Sequence, residues 1–248
     1  MAMNMNNFDT LGYFNEDYHY FTSRLHGNDL NEKDTELVYT LLNLKPNMDL
    51  LDLGCGYGRI SNLLARKGIR VVGMDNNNKY LEYAQNDAEE LGVKVSYLSG
   101  DMRSLRFSNR FDRAIMWFNT FGYFSDIENN LVLSGACKAL RNGGILALDL
   151  MNRDGVVTSL PRDYVREFEN NLEIHRYKFD SVSSNLIAER IVVINGEVRR
   201  SSYILRLYTF TEIKHNLLSS GFNDVKVYGN VNELFTSRSA RMLIVAEK

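Results

Sequence analysis

Leu51-Asp52-Leu53-Gly54-Cys55-Gly56-Tyr57-Gly58-Arg59 reads as an apolar strand that runs into three closely spaced glycines and then directly into a helix. Glycine lacks Cβ, takes positive φ and lets a ligand approach the main chain, so the stretch reads as a nucleoside-binding loop. Two neighbouring segments give it partners. Val71-Val72-Gly73-Met74-Asp75 ends a second strand in an acid, and Val95-Ser96-Tyr97-Leu98-Ser99-Gly100-Asp101 ends a third in another. An acid roughly twenty residues on, at the end of the next parallel strand, can accept hydrogen bonds from both ribose hydroxyls, the role that fits Asp75. The spacing Gly-x-Gly-x-Gly, in place of Gly-x-Gly-x-x-Gly, argues against the pyrophosphate cradle of nicotinamide and flavin enzymes.

Working outward, the segment before the loop is aromatic from about Tyr13 and then helical in period, with Leu37, Leu41 and Leu44 on one face. After the loop, Ile60, Leu63 and Leu64 recur at helical spacing up to Gly68, and Tyr80, Leu81, Ala84, Ala88 and Leu91 do so up to Gly92. This alternation of strands and helices predicts a parallel sheet covered on both faces, with ligands outside the carboxyl ends of the strands. From about Tyr164 to Tyr208 the pattern turns β-rich, with Asn195-Gly196 between two strand-like runs, the strongest short signal for a hairpin. A helix over Thr211 to Ser220 and two strands, Asp224 to Tyr228 and Met242 to Glu247, complete the chain.

The 248 residues with 44% apolar content suit one elaborated domain. A formal net charge of −2 and the lack of any basic run disfavour nucleic acid as a partner. Cys55 and Cys137 have no zinc or disulfide partner by spacing, and no metal site is expected. No apolar run approaches the roughly 20 residues that span a bilayer, and the N-terminus lacks a signal pattern, so a cytoplasmic protein without membrane contact is the expectation.

The loop, its two acid-terminated neighbours and Phe111 to Asn119 together resemble the class I S-adenosylmethionine-dependent methyltransferases. Gly56-Tyr57-Gly58-Arg59, Asn119-Thr120-Phe121-Gly122-Tyr123-Phe124 and Arg206-Leu207-Tyr208 resemble a subgroup with an inserted antiparallel sheet, similar to small-molecule N-methyltransferases. The resemblance implies a Rossmann-like α/β fold with a seven-stranded sheet, mostly parallel with the last strand antiparallel. It implies an N-terminal helical lid over 1–45, a core over 46–152 and 209–248, and an inserted antiparallel subdomain over 160–208. By the same resemblance Gly54 and Gly56 approach the methionine part of S-adenosylmethionine, Cys55 contributes backbone only, Asp75 holds the ribose, Asn76 is a further cofactor-binding residue, and Asp101 with Met102 meets the adenine. A tyrosine in the lid closes over the methyl donor, which Tyr18 matches best, and Arg24 is the candidate for the cofactor carboxylate.

Other residues keep two readings. Trp117 at the end of a buried strand is either core or a ligand contact. Asn119 either meets the acceptor or forms a turn, and lacks the Pro-Pro-Tyr sequel of adenine methyltransferases. Arg206 and Tyr208 either face the acceptor together or pack on the last helix. His19 is the first histidine to test as a base; His26, His175 and His215 carry no recognisable triad. The expected function is methyl transfer to a small-molecule amine or hydroxyl by in-line displacement. A peptide or protein acceptor, or a non-catalytic S-adenosylmethionine-binding module, is the alternative. A homodimer through the inserted sheet is the expected self-association. Asp75→Ala should weaken cofactor binding by about 1.5 to 3 kcal/mol, the worth of hydrogen bonds to a charged group, in a calorimetric titration; unchanged affinity would remove Asp75 from the site.

Overall fold

The computed structural model describes residues 10–25, 27–160, 163–231 and 233–248; His26 lies outside them. Three N-terminal helices, α1 (Thr10–Tyr13), α2 (Glu16–Leu25) and α3 (Asn28–Leu41), precede an alternating core. The core runs β1 (Asp49–Leu53), α4 (Arg59–Arg66), β2 (Arg70–Asp75), α5 (Asn78–Glu90), β3 (Ser96–Ser99), β4 (Phe111–Met116), α6 (Asp126–Ala139), β5 (Leu140–Met151) and α7 (Arg153–Thr158). Four strands then form a separate antiparallel sheet: β6 (Tyr164–Phe168), β7 (Asn171–Asp180), β8 (Asn185–Ile194) and β9 (Glu197–Arg206). The chain closes with α8 (Phe210–Ser219), β10 (Asp224–Asn230), β11 (Glu233–Leu234) and β12 (Arg241–Glu247).

The main sheet has the order β11-β10-β12-β5-β4-β1-β2-β3. β1 is parallel to β2 and β4, with Leu51 opposite Val72 and Ala114, and the last strand β12 is antiparallel to β5 and β10. The central parallel strands β1 and β4 are largely buried without alternation because helices cover both faces, while the edge strand β3 is mostly exposed. On one face Leu51, Leu53 and Leu146 pack with Val132, Leu133 and Ala136 of α6 and with Ile213 and Leu217 of α8. On the other, Leu50, Ile115 and Leu243 pack with Val38 and Leu42 of the N-terminal region and Ile60 and Leu64 of α4.

The mostly parallel core and the inserted sheet match the expected architecture, with differences of detail. The main sheet gains an eighth, edge strand, the two-residue β11, which is too short to leave a periodic signal. Gly143-Gly144, a pair that by the family resemblance would form a turn before this strand, lies inside β5 where the register to β4 shifts, as a bulge in the strand. The buried stripe of the third helix is Val38 and Leu42, one position on from Leu37 and Leu41, which are half-buried against the same cluster. Leu91, expected inward, is exposed at the end of α5. The Asn195-Gly196 turn is present, both residues at positive φ, with Ile194 opposite Glu197.

The three loop glycines have different reasons to be glycine. All have positive φ, +69° at Gly54, +55° at Gly56 and +80° at Gly58. A Cβ at Gly54 would fall 2.1 Å from Thr120 Cγ2, and one at Gly58 would fall 2.4 Å from Tyr97 Oη and 2.8 Å from Ala84 Cβ. A Cβ at Gly56 meets nothing within 4 Å. Gly58→Ala should therefore destabilise the fold by roughly 1–3 kcal/mol more than Gly56→Ala, which carries only left-handed backbone strain of about 1–2 kcal/mol. Urea denaturation of both variants measures the difference.

Candidate active site

β1, β2, β3 and β4 end at one cleft, lined from the core by the glycine loop, Met74, Asp75 and Asn76, by Gly100, Asp101 and Met102, and by Trp117 to Thr120. The glycine loop is tied to β2 by the N–H groups of Gly54 and Cys55, which donate to Met74 O at 2.7 and 3.1 Å. Asp75 then anchors the loop tip: Gly56 N–H donates to Oδ2 at 2.8 Å and Asn77 N–H to Oδ1 at 2.9 Å. Burial raises the pKa of Asp75, opposed by those backbone donors. An ionised carboxylate has about four lone-pair sites, so Asp75 retains acceptor capacity for a ligand hydroxyl beside its backbone donors. Asp101 caps the turn Met102–Ser104 through Arg103 N–H, and the Arg103 side chain, donating at 2.6 to 3.1 Å, holds its pKa below the usual range.

The mouth of β4 is strained. Phe118 and Asn119 both take left-handed backbone, at φ +60° and +59°, which costs a non-glycine residue of order 1 kcal/mol or more and must be held by its surroundings. Asp149 holds it. Phe118 N–H donates to Asp149 Oδ2 and Asn119 N–H to Asp149 O, both at 2.9 Å. Asp149 is itself clamped by Arg241, whose Nε and Nη2 donate at 2.7 and 2.6 Å.

Opposite the loop, Phe14, Tyr18 and Thr22 from the N-terminal helical region and Tyr123 and Phe124 from the β4–α6 connection close the cleft. Burial raises the phenol pKa values of Tyr18 and Tyr123 and pushes that of Tyr57 up to about 12, so these walls are uncharged at neutral pH.

Of the expected site residues, the cleft brings together Tyr18, Gly54, Cys55, Gly56, Asp75, Asn76, Asp101, Met102, Trp117 and Asn119. Four others lie elsewhere. Arg24 stacks on Tyr20 and Phe168, 3.9 and 4.8 Å from the ring centres, and faces the inserted sheet. His19 stacks on Tyr83 and meets the edge of Tyr57 outside the cleft lining, and burial lowers its pKa. Arg206 pairs with Glu212 and Asp126 and stacks on Tyr208, whose hydroxyl donates to Asp126 Oδ1 at 2.7 Å. That pair packs between α6 and α8, the second of its two readings.

Of the cleft residues that were not among the expected ones, two carry charged side chains. Arg59, the first residue of α4, reaches the cleft with its side chain 10% exposed. Its Nη1 donates to Asp34 Oδ2 at 3.0 Å and Asn31 Oδ1 at 3.1 Å, while Nη2 is buried without a partner among the described residues. Its signal was the Gly56-Tyr57-Gly58-Arg59 sequence, which carries the family resemblance but gives Arg59 no role of its own. Asp52, also within the quoted loop motif, is 3% exposed and accepts from Ser61 Oγ at 2.6 Å. Burial pushes its carboxyl up to about 6, from an ordinary 3.8.

The raised Asp52 pKa means that the folded chain binds this proton more tightly than the unfolded chain. The resulting penalty is absent below about pH 4, grows as pH rises toward 6 and is complete above it. Asp52→Asn, which keeps an acceptor for Ser61, should gain stability over the unmodified protein above pH 6, by roughly 3 kcal/mol at most, and gain nothing at pH 4. Chemical denaturation at pH 4 and pH 8 checks the sign.

The donors and acceptors of the cleft fit S-adenosylmethionine. Arg59 Nη2, Trp117 Nε1, Tyr57 Oη and Asn119 Oδ1 are buried polar atoms without partners among the described residues, and all four residues line the cleft. Buried polar atoms are normally satisfied, so the set calls for a polar ligand bearing an anionic end. A model of the methyltransferase domain matches residues 50–144. The chain is 28% identical to a cypemycin N-terminal methyltransferase of a Streptomyces species over 220 residues, 80% of this chain and 82% of that one. It is 30% identical to a ubiquinone biosynthesis O-methyltransferase of Pelagibacter ubique over 107 residues, 43% of either chain. An S-adenosylmethionine-dependent methyltransferase structure from Clostridium acetobutylicum superposes with a TM-score of 0.80 at 17% identity, covering 95% of this chain and 98% of that one. The CcbJ methyltransferase of Streptomyces caelestis superposes at 0.75 with 23% identity, covering 88% of each. With its glycine loop, strand-end acids and inserted sheet, the chain carries a methyltransferase domain over residues 50–144 and is similar over most of its length to S-adenosylmethionine-dependent methyltransferases.

Proposed function

We propose that the chain transfers a methyl group from S-adenosylmethionine to a small-molecule amine enclosed beneath the N-terminal helices. The observation that carries this reading is the chemistry of the acceptor-side wall. Phe14, Tyr18, Tyr123, Phe124 and Phe118 surround the β4 mouth with aromatic faces, and no histidine or lysine lines the cleft among the described residues. Aromatic faces stabilise a cationic centre by about 0.5–2 kcal/mol each, depending on desolvation, which suits an amine and its methylated product. A hydroxyl acceptor needs a base in reach of its proton. Buried Asp52, whose carboxyl is pushed up to about 6, accepts a hydrogen bond from Ser61 on α4. An amine can shed its proton to solvent before it binds.

S-Adenosylmethionine supplies a methyl group on a sulfonium whose leaving group departs neutral, so positioning is the main demand on the protein. A well-oriented pair gains several kcal/mol from proximity alone. In this reading Asp75 accepts from the ribose hydroxyls, Met102 and Asp101 border the adenine, and Arg59 Nη2 takes the carboxylate. Arg59 replaces Arg24 in that last role because it is the cleft arginine with a spare buried donor. Trp117 and the strained Phe118–Asn119 turn hold the acceptor end, with Tyr18 and Phe14 as its roof.

A peptide acceptor is the second reading, supported by the named N-terminal methyltransferase relative that matches four-fifths of this chain. Both readings place a free amine at the β4 mouth. A methyl-transfer screen against small amines, phenols, carboxylates and amino-terminal peptides, followed by S-adenosylhomocysteine release, separates them. Turnover confined to phenols or carboxylates would overturn the amine assignment. Arg59→Met should weaken S-adenosylhomocysteine binding about ten- to a hundredfold, as expected for losing a charge-assisted hydrogen bond, and calorimetry reads it directly.

A further inference from the structure

Arg190, in the middle of β8, is the largest fully buried side chain among the described residues, at 1% exposure. No carboxylate pairs with its guanidinium there, and Nη1 is without a partner. An uncompensated buried cation is costly, so its hydrogen bonds identify what it serves. Nε donates to Ser201 Oγ at 3.3 Å, within the inserted sheet. Nη2 donates to Tyr13 O at 2.6 Å, at the end of α1, and to Asn15 Oδ1 at 3.0 Å, just before α2. The guanidinium also lies over the ring of Tyr13 at 4.4 Å and near that of Tyr18 at 5.5 Å.

The other side of the same short segment is tied to the core. Asn77 Nδ2 donates to Phe14 O at 2.6 Å, and Tyr80 Oη donates to Asn15 O at 2.8 Å. Asn77 N–H in turn donates to Asp75 Oδ1. Asn15 Oδ1 also accepts from Tyr18 N–H at 3.2 Å and so caps the helix that carries Tyr18 and Thr22 into the cleft. Residues 13–15 thus form a strap with one edge on Arg190 and the other on the loop that follows Asp75.

We propose that Arg190 is the positioning residue that holds this strap closed, so that escape of the bound cofactor product requires its hydrogen bonds to Tyr13 and Asn15 to break. The proposal rests on the cleft being the cofactor site, and it assigns to the inserted sheet the job of governing release. Arg190 touches no ligand in this account; it acts through Tyr13, Asn15 and Tyr18.

The test measures S-adenosylhomocysteine dissociation by stopped flow, together with amide hydrogen exchange in the absence of ligand. Arg190→Met should speed dissociation about tenfold with unchanged stoichiometry, and Arg190→Lys should restore most of the difference. Asn15→Ala should reproduce the effect, and the double variant should add nothing to it, because both changes open one latch. Exchange over residues 13–22 should quicken in Arg190→Met while β1, β4 and β5 keep their protection. An unchanged dissociation rate, additive effects in the double variant, or protection lost equally across the core would overturn the proposal. If the unmodified protein fails to bind S-adenosylhomocysteine, the cofactor reading falls, and the exchange pattern over residues 13–22 still judges the latch.

Discussion

A line of alternating charges, Asp149, Arg241, Asp34 and Arg59, sets the geometry on which the cleft depends. Arg241 on β12 grips both oxygens of buried Asp149 on β5 and also reaches Asp34 on α3 at 2.9 Å. Asp34 in turn accepts from Arg59 on α4. Burial works against its ionisation, yet the Arg241 and Arg59 guanidiniums hold its pKa below the ordinary value. Burial likewise opposes the charge on Arg241, and Asp149 and Asp34 more than offset it, so its pKa is raised. Such a line adds little net stability, because desolvating four ions cancels much of their attraction. What it contributes is placement. One end pins the strained Phe118–Asn119 turn through Asp149, and the other presents Arg59 with a spare buried donor.

The two layers of the molecule divide the work. Packed parallel strands carry the glycine loop and the strand-end acids, which in the proposed reading hold the methyl donor, on a sheet whose register pairs run from β4 through β1 and β2 to β3. The acceptor side is built from the N-terminal helices and the connection after β4, which meet the inserted sheet through an aromatic cluster of Tyr13, Tyr18, Tyr123 and Tyr203. Ring contacts of 4.6 Å between Tyr13 and Tyr203 and 5.8 Å between Tyr123 and Tyr203 join that cluster to β9. The inserted sheet thereby shapes a site whose lining it does not itself supply.

Much of the core was legible because its signals are local. Strand-loop-helix order around Gly54 to Gly58, the helical periods ending at Gly68 and Gly92, and the Asn195-Gly196 turn depend on neighbouring residues alone. The placement of Asp75 and Asp101 in the cleft was legible for the same reason, Asp75 ending β2 and Asp101 following β3. Arg59 was not, since its meaning comes from Asp34, 25 residues away, and from Arg241, which is 207 residues from Asp34. Arg206 and Tyr208 left two readings open because strand alternation says which residues share a face, not what covers that face. The strained Phe118–Asn119 turn gave no warning either: an aromatic residue at positive φ is held there by Asp149, which only the tertiary fold brings near.

The measurement that bears most directly on this account is a pair of calorimetric titrations of the unmodified protein, one with S-adenosylhomocysteine and one with NAD. A saturable single-site heat with S-adenosylhomocysteine and none with NAD is the predicted result. Binding of NAD with no response to S-adenosylhomocysteine would contradict it.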